Sequence, residues 1–487
     1  MTEVTKMKQA RNQRGWFFMV LLAGLVFLCP AAVTAEVGTS GVDQQIAVEV
    51  TAYNEDLGLV KDQRRIQLPK GVTELRFMDV AGKINPATVH MQSLTDPKAL
   101  SVLEQNYEYD LLNPARLLDK YVGKEVKLYS KNPYTEREEI VTAKILSNND
   151  GNPVFQIGND ITFGHPGRVI FPRVPDNLIA QPTLVWLLKN EALRTQDIEV
   201  AYLTGGIGWR ADYVMVLDAQ DQVGGLSAWV TLNNRSGASY PNAKLKLVAG
   251  DVNRVREELA GRRDIVYKAQ MMEAPAPQFR EQAFFEYHIY TLERPTTLKD
   301  NSTKQISLLN APEVKVKKEY RLYGEDYYYR SRYGEAEQKK KVSVFIEFEN
   351  AKENGMGMPL PKGIVRVYKH DADRSLQFTG EDTIDHTPKD EKVKIKLGEA
   401  FDVTATRKQT DWKKIANDTY EAAFEIVLRN HKAENITVRI IEPVPGDWQV
   451  LGASHKAVKA SSSQLEMNVP VLKDGETVVT YRVRMRF

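Results

Sequence analysis

Across residues 199–251, apolar and polar positions alternate in four runs separated by short polar turns. Trp209, Tyr213, Met215 and Leu217 take odd positions, while Val214 and Val216 fill even ones. A run that is apolar on both faces predicts a strand buried from both sides. Leu226, Val230 and Leu232 alternate with Ser227, Trp229 and Thr231, and Ala243, Leu245, Leu247 and Ala249 alternate with Lys244 and Lys246. That pattern predicts strands with one dry and one wet face. Between them, Asn233-Asn234-Arg235-Ser236-Gly237 collects residues that tolerate left-handed turns. The pattern is that of an antiparallel β-sandwich and speaks to architecture, not to a reaction.

The same alternation organises the rest of the chain. Ile46, Val48 and Val50 open a strand; residues 53–70 predict a hairpin with arms at 57–60 and 65–68; another strand follows at 72–78. Asn113 as cap and Pro114 in the first turn predict a short helix that Gly123 stops. Short strands are expected at 125–129, 140–146, 153–157, 161–163 and 168–171, together a small SH3-like or Sm-like barrel. Residues 184–188 are densely apolar. Residues 253–282, charged and then rich in Pro, Ala and Met, read as an exposed linker, and strand alternation resumes at 284–290. A pattern recurs three times: an apolar strand ends on Asn234, on Asn350 and on Asn430, and each leads through a polar turn into another strand, which predicts repeated sandwich units. The expected fold is all-β: several antiparallel, immunoglobulin-like sandwiches with the small barrel inserted in the N-terminal half. The expected divisions are 1–35, 36–112, 113–178, 179–340, 341–410 and 411–487.

Three stretches, GGIGWRADYVMVL, LSAWVTLNNRSG and YPNAKLKLVAGDVNRV, resemble the bacterial family of domain-of-unknown-function 4139, related to mucoidy inhibitor proteins. FFEYHIYTLERPTTLKDNSTKQISLL and GEDTIDHTPKDEKVKIKLGEAFDV are similar to the same family. The resemblance runs from about residue 201 to the end. It implies a class and supplies no catalytic residues.

Composition sets the address. Lys6, Lys8, Arg11 and Arg14 precede the apolar run 16–28, and Val33-Thr34-Ala35 offers a cleavage site, so residues 1–35 read as a signal peptide. The apolar run is shorter than the roughly 20 residues of a membrane span, and no transmembrane span is expected after cleavage. The one cysteine, Cys29, lies in this leader, so the mature chain has no disulfide and no Cys-ligated metal. Removing the leader's four basic and one acidic residue leaves 62 basic against 63 acidic, a net charge of −1. No basic field remains to gather nucleic acid. The protein is expected outside the cytoplasm, in the periplasm or outer envelope.

Candidate chemistry is sparse. Gly206-Ile-Gly208-Trp-Arg-Ala211 imitates a dinucleotide fingerprint, but a strand follows where the pyrophosphate needs a helix N-terminus, so a tight turn between strands is expected. His370, Asp371, Asp373, Asp382, Asp385 and His386 offer ligand types for a divalent metal, or carboxylates for a metal-dependent hydrolase, although their spacing matches no ligand motif and suits turns. Tyr327, Tyr328, Tyr329, Arg330, Arg332 and Tyr333 interleave aromatic and basic groups, as a protein- or glycan-contact surface does. The alternating end, residues 481–487, also matches the last strand of an outer-membrane β-barrel, although a core strand burying Val483, Met485 and Phe487 is the simpler reading. The expectation is a non-catalytic, cofactor-free envelope protein that binds or scaffolds envelope proteins or polysaccharide, with the hydrolase and the barrel as alternatives.

Overall fold

The computed structural model describes residues 36–131, 137–149, 151–163, 167–175, 178–191, 195–250, 252–253, 278–332 and 337–487. The expected leader and most of the expected linker lie outside the described residues. The fold is nearly all β, built of several multistranded sheets with one short α-helix among the described residues. That helix, Pro114–Lys120, starts as its sequence dictates: the Asn113 side chain accepts from the Arg116 amide at 2.9 Å, and Pro114 takes the first helical position.

Two large cores dominate. The first draws on strands from Val48 to Ile395, and the second on strands from Tyr320 to Met485. Around the first lie an eight-stranded sheet and part of a thirteen-stranded one. The strand Ile207–Leu217 buries Trp209, Tyr213, Met215 and Leu217, but Val214 and Val216 on its other face are only half-buried, so it is not buried from both sides as expected. It pairs antiparallel with Val223–Asn234 on one side and parallel with Gly363–His370 on the other. Gly205 and Gly206 form the tight turn before it. Gly206 has φ 81°, and a Cβ there would lie 2.4 Å from the Arg235 carbonyl oxygen, so only glycine fits.

The threefold echo in the sequence has a physical basis. Asn234, Asn350 and Asn430 are all buried. The Asn234 amide donates to the carbonyls of Ala238 (2.9 Å) and Lys299 (3.1 Å), and its oxygen accepts from the Ser236 amide at 3.1 Å. Asn430 repeats this with Glu434 (2.8 Å), Leu472 (3.0 Å) and Lys432 (3.1 Å). Asn350 holds Met358 (2.8 Å) and Pro388 (2.9 Å) around a longer loop. Each asparagine thus sits at the corner where one strand ends, ties down the loop beyond it and joins that loop to a second one. In each copy the next strand is not a neighbour of the one the asparagine ends; it pairs parallel with a strand from elsewhere: Tyr240–Ala249 with Gln45–Tyr53, Gly363–His370 with Ile207–Leu217, and Ile436–Pro443 with Ser302–Tyr323.

Several expectations are corrected. Residues 58–67 do not fold back; Gly58–Gln67 is one strand, hairpinned with Gln45–Tyr53. The polar stretch stays in the strand because its charges are satisfied in place. Arg64, fully buried, donates to Asp62 (2.7 Å) and to the Ser40 carbonyl (2.8 Å) and lies 3.6 Å from the Phe77 ring centroid. The five short strands form a sheet in the order Asp160–Phe163, Asn152–Ile157, Glu138–Asn149, Glu125–Lys131, Arg168–Ile170, with a small core of its own. Among the described residues its first and last strands are edges, so the expected barrel is an open sheet there. Strand structure after the linker begins at Phe279, before the expected 284.

No sheet closes into a barrel among the described residues. The last strand, Gly475–Arg486, turns Val479, Tyr481, Val483 and Met485 into the second core and its arginines outward onto Glu421, Asp411 and Asp418. A lipid-facing strand would do the reverse, so the orientation of this strand speaks against the membrane-barrel alternative. Phe487 lies beyond the strand, exposed against the Tyr420 ring. Among the described residues, no helix is long and apolar enough to cross a membrane.

Candidate functional site

The aromatic and basic window divides between core and surface. Tyr327, Tyr328 and Tyr329 lie in a 3-10 turn, Asp326–Tyr329, that follows the strand Ser302–Tyr323. Tyr328 and Tyr329 are buried in the second core, which corrects their expected place on a contact surface. The Tyr329 hydroxyl donates to Glu442 Oε2 at 2.8 Å and lies 2.8 Å from the Tyr481 hydroxyl. Arg407 pairs with Glu442, donates to the Tyr481 hydroxyl at 2.7 Å, and stands 4.3 Å and 4.4 Å from the ring centroids of Tyr328 and Phe424. Burial, with Glu442 beside it, pushes the Tyr329 hydroxyl well above the ordinary tyrosine value, so it stays a donor. The turn therefore plugs the second core. Tyr327, Arg330 and Arg332 remain exposed, with Arg330 paired to Asp326. Tyr333 lies outside the described residues.

The histidine and aspartate window does not converge. Gly363–His370 and Leu376–Ile384 form a hairpin in which His370 faces Leu376 and Gly363 faces Ile384. His370, Asp371 and Asp373 sit at the turn, whereas Asp382, Asp385 and His386 sit toward the other end, roughly 20 Å away at ~3.3 Å per residue. Each has structural work. Asp371 and Asp373 both accept from the Ser375 amide at 2.9 Å, and His370 Nδ1 lies 3.0 Å from the Arg374 carbonyl. Asp382 accepts from the amides of Thr383 and Lys396, both at 2.8 Å; the Asp385 carbonyl accepts from the Thr387 hydroxyl; His386 Nδ1 accepts from the Lys362 amide at 3.2 Å. Among the described residues, no group of three or more His, Cys, Asp or Glu is placed to hold a metal ion. The six expected ligands are split between the two ends of one hairpin and do not come together.

A cavity of about 340 Å³ lies where the two large cores meet, and sequence reasoning missed it. Leu217, Ile346 and Leu397 line it from the first core, and Tyr320, Val344 and Ala400 from the second. At its rim Asp221 accepts from Lys318 (2.7 Å) and Lys369 (2.6 Å). Burial alone would raise the Asp221 carboxyl, but these two lysines outweigh it and hold it below the ordinary value. The opposite rim is an irregularity in the strand Lys392–Lys414: Glu399 faces Ser343 while Thr404 faces Lys341, so this strand carries three more residues than its partner. The excess throws Phe401 outward, 94% exposed. By parity with Leu397 and Val403, Phe401 belongs to the core; the only sequence signals of the exception are Gly398 and a charge, Glu399, in an apolar register.

No protein-family model matches this chain, and no curated protein does.

Proposed function

We propose that the protein is an exported, non-catalytic binding or scaffolding protein of the cell envelope that holds other envelope proteins or surface polysaccharide. The observation supporting this reading is three phenylalanines that project from strands and a turn: Phe163 at 82%, Phe285 at 84% and Phe401 at 94% exposure. Apolar side chains left this bare at separate places suit contact with partners. Phe285 also has φ 55°, rare for a bulky residue, at a hairpin tip beside exposed Phe284. The ionisable groups that suggested chemistry are engaged in turns and ion pairs. The leader reading of residues 1–35 supplies the address, and the resemblance to domain-of-unknown-function 4139 and the mucoidy inhibitors supplies the link to surface polysaccharide. In-cell photo-crosslinking from positions 163, 285 and 401 tests it, with exposed Lys339 as control. Adducts at one or more of the three and none at 339 are expected; equal labelling everywhere overturns the reading. Osmotic shock should release a chain starting near Glu36, and retention in the cytoplasm would refute export.

A further inference from the structure

We propose that the cavity between the two cores receives one large apolar side chain from an extended segment of a partner polypeptide. This rests on the reading that the protein works by binding, and narrows it to one place and one class of partner.

Four observations converge on that occupant. The cavity's 340 Å³ lies at the small end of the range for ligand sites and has room for one bulky side chain. Its floor is aliphatic: Leu217, Val344, Ile346 and Leu397. The charged side chains among the lining residues cancel: Lys318, Lys369 and Lys432 against Asp221, Glu399 and Asp402. Lys318 and Lys369 are held by Asp221, and Glu399 by Lys396 (2.9 Å) and the Ser343 hydroxyl. A strongly anionic or cationic ligand would have to break those pairs, whereas a neutral side chain leaves them intact. Ala400 and Phe401 lie outside the ladder registers on both sides of their strand. A main chain passing the rim thus finds an irregular strand segment beside the cavity, the arrangement in which an added strand gains affinity from its backbone and specificity from a pocket. Phe401 stands next to that opening and offers a second apolar contact.

The cost of leaving Phe401 in water points the same way. An exposed phenylalanine forgoes the stabilisation that burial of its ring would bring. Parity alone would have placed it inside, and the three extra residues take it out.

The test uses the purified protein and two variants. Thr379→Trp sets a large ring at the cavity wall from an exposed strand position. Phe401→Ser removes a side chain that is almost wholly exposed. Binding of N-acetyl-L-tryptophanamide, a neutral mimic of one aromatic residue, is followed by saturation-transfer NMR beside indole-3-propionate and tryptamine. Random 12-residue peptides on phage are panned against wild type with counter-selection on Thr379→Trp. The neutral amide should bind wild type, at least fivefold more weakly to Thr379→Trp and at least threefold more weakly to Phe401→Ser, and the selected peptides should share a Trp, Phe or Leu anchor. If Thr379→Trp fails to fold, Phe401→Ser and the three-probe comparison still decide. Absence of amide binding, stronger binding of either charged probe, unchanged binding by the variants, or peptides without an anchor would each overturn the inference. Crosslinks that persist at positions 163 and 285 while this selection fails would remove the cavity's role and leave the broader reading standing.

Discussion

Single residues carry much of the specification, and buried polar ones most of all. Asn430 is a buried carboxamide whose donors and acceptor all have backbone partners. Asn430→Ala leaves the Glu434 and Leu472 carbonyls short of a donor and should cost about 2–3 kcal/mol, read as a lower urea midpoint; an unchanged midpoint would deny the asparagine its corner role. Arg407 and Glu442 form an ion pair in the second core. Glu442→Gln alone strands a buried guanidinium and should cost about 3–5 kcal/mol, whereas replacing both by Met should recover most of that loss. Glu319 supplies a pH response. Burial would raise its carboxyl, but hydrogen bonds and charge from Lys317 and Arg321 prevail and hold it at about 2, below its ordinary 4.5. Its stabilisation is therefore complete above the ordinary value and is lost as pH falls toward 2. Thermal midpoints measured between pH 5 and pH 2 should fall less steeply in Glu319→Gln than in wild type.

At the scale of elements, strands follow alternation and turns follow backbone freedom. Gly206 combines φ 81° with an approach of 2.4 Å to a carbonyl, so Gly206→Ala should lose about 1–3 kcal/mol by chemical denaturation. Gly398, with φ 149° and open space around its Cβ position, should tolerate alanine better. The strand holding Trp209, the capped helix at Pro114 and the three asparagine corners were all legible, because each rests on local chemistry within a few residues. Arg64 was not. A polar run reads as a turn unless its partners are known, and Ser40 and Phe77 come from outside that run. Tyr328 and Tyr329 misled for a related reason. A 3-10 turn has about three residues per turn, so consecutive tyrosines point different ways, and the partner that draws Tyr329 inward, Glu442, lies 113 residues on. The cavity was hidden for the same cause: its walls come from six strands, and each alone reads as ordinary core.

The whole molecule is tied by strands that serve both large cores. Ser302–Tyr323 gives Ile306, Leu308, Leu309, Ala311 and Val314 to the first and Tyr320 and Leu322 to the second. Gln338–Glu349 and Lys392–Lys414 are shared likewise. Neither core can unravel without fraying strands of the other. Tryptophan fluorescence, reporting from Trp186 and Trp209 in the first core and Trp448 in the second, should therefore follow a single urea transition; two separated transitions would show the cores to be independent. The open five-stranded sheet has a third core of only a few buried residues around Leu128, Ile145 and Phe155. Its amides should exchange with deuterium before those of either large core.

One of the parallel pairings governs the order of events during synthesis. Gln45–Tyr53 has Tyr240–Ala249 as its neighbour, so an early-made ribbon must wait for almost two hundred further residues before that side is covered. Until then it offers an oily, hydrogen-bond-hungry edge to whatever is near. The assembly of such a chain can finish only after the latecomer arrives.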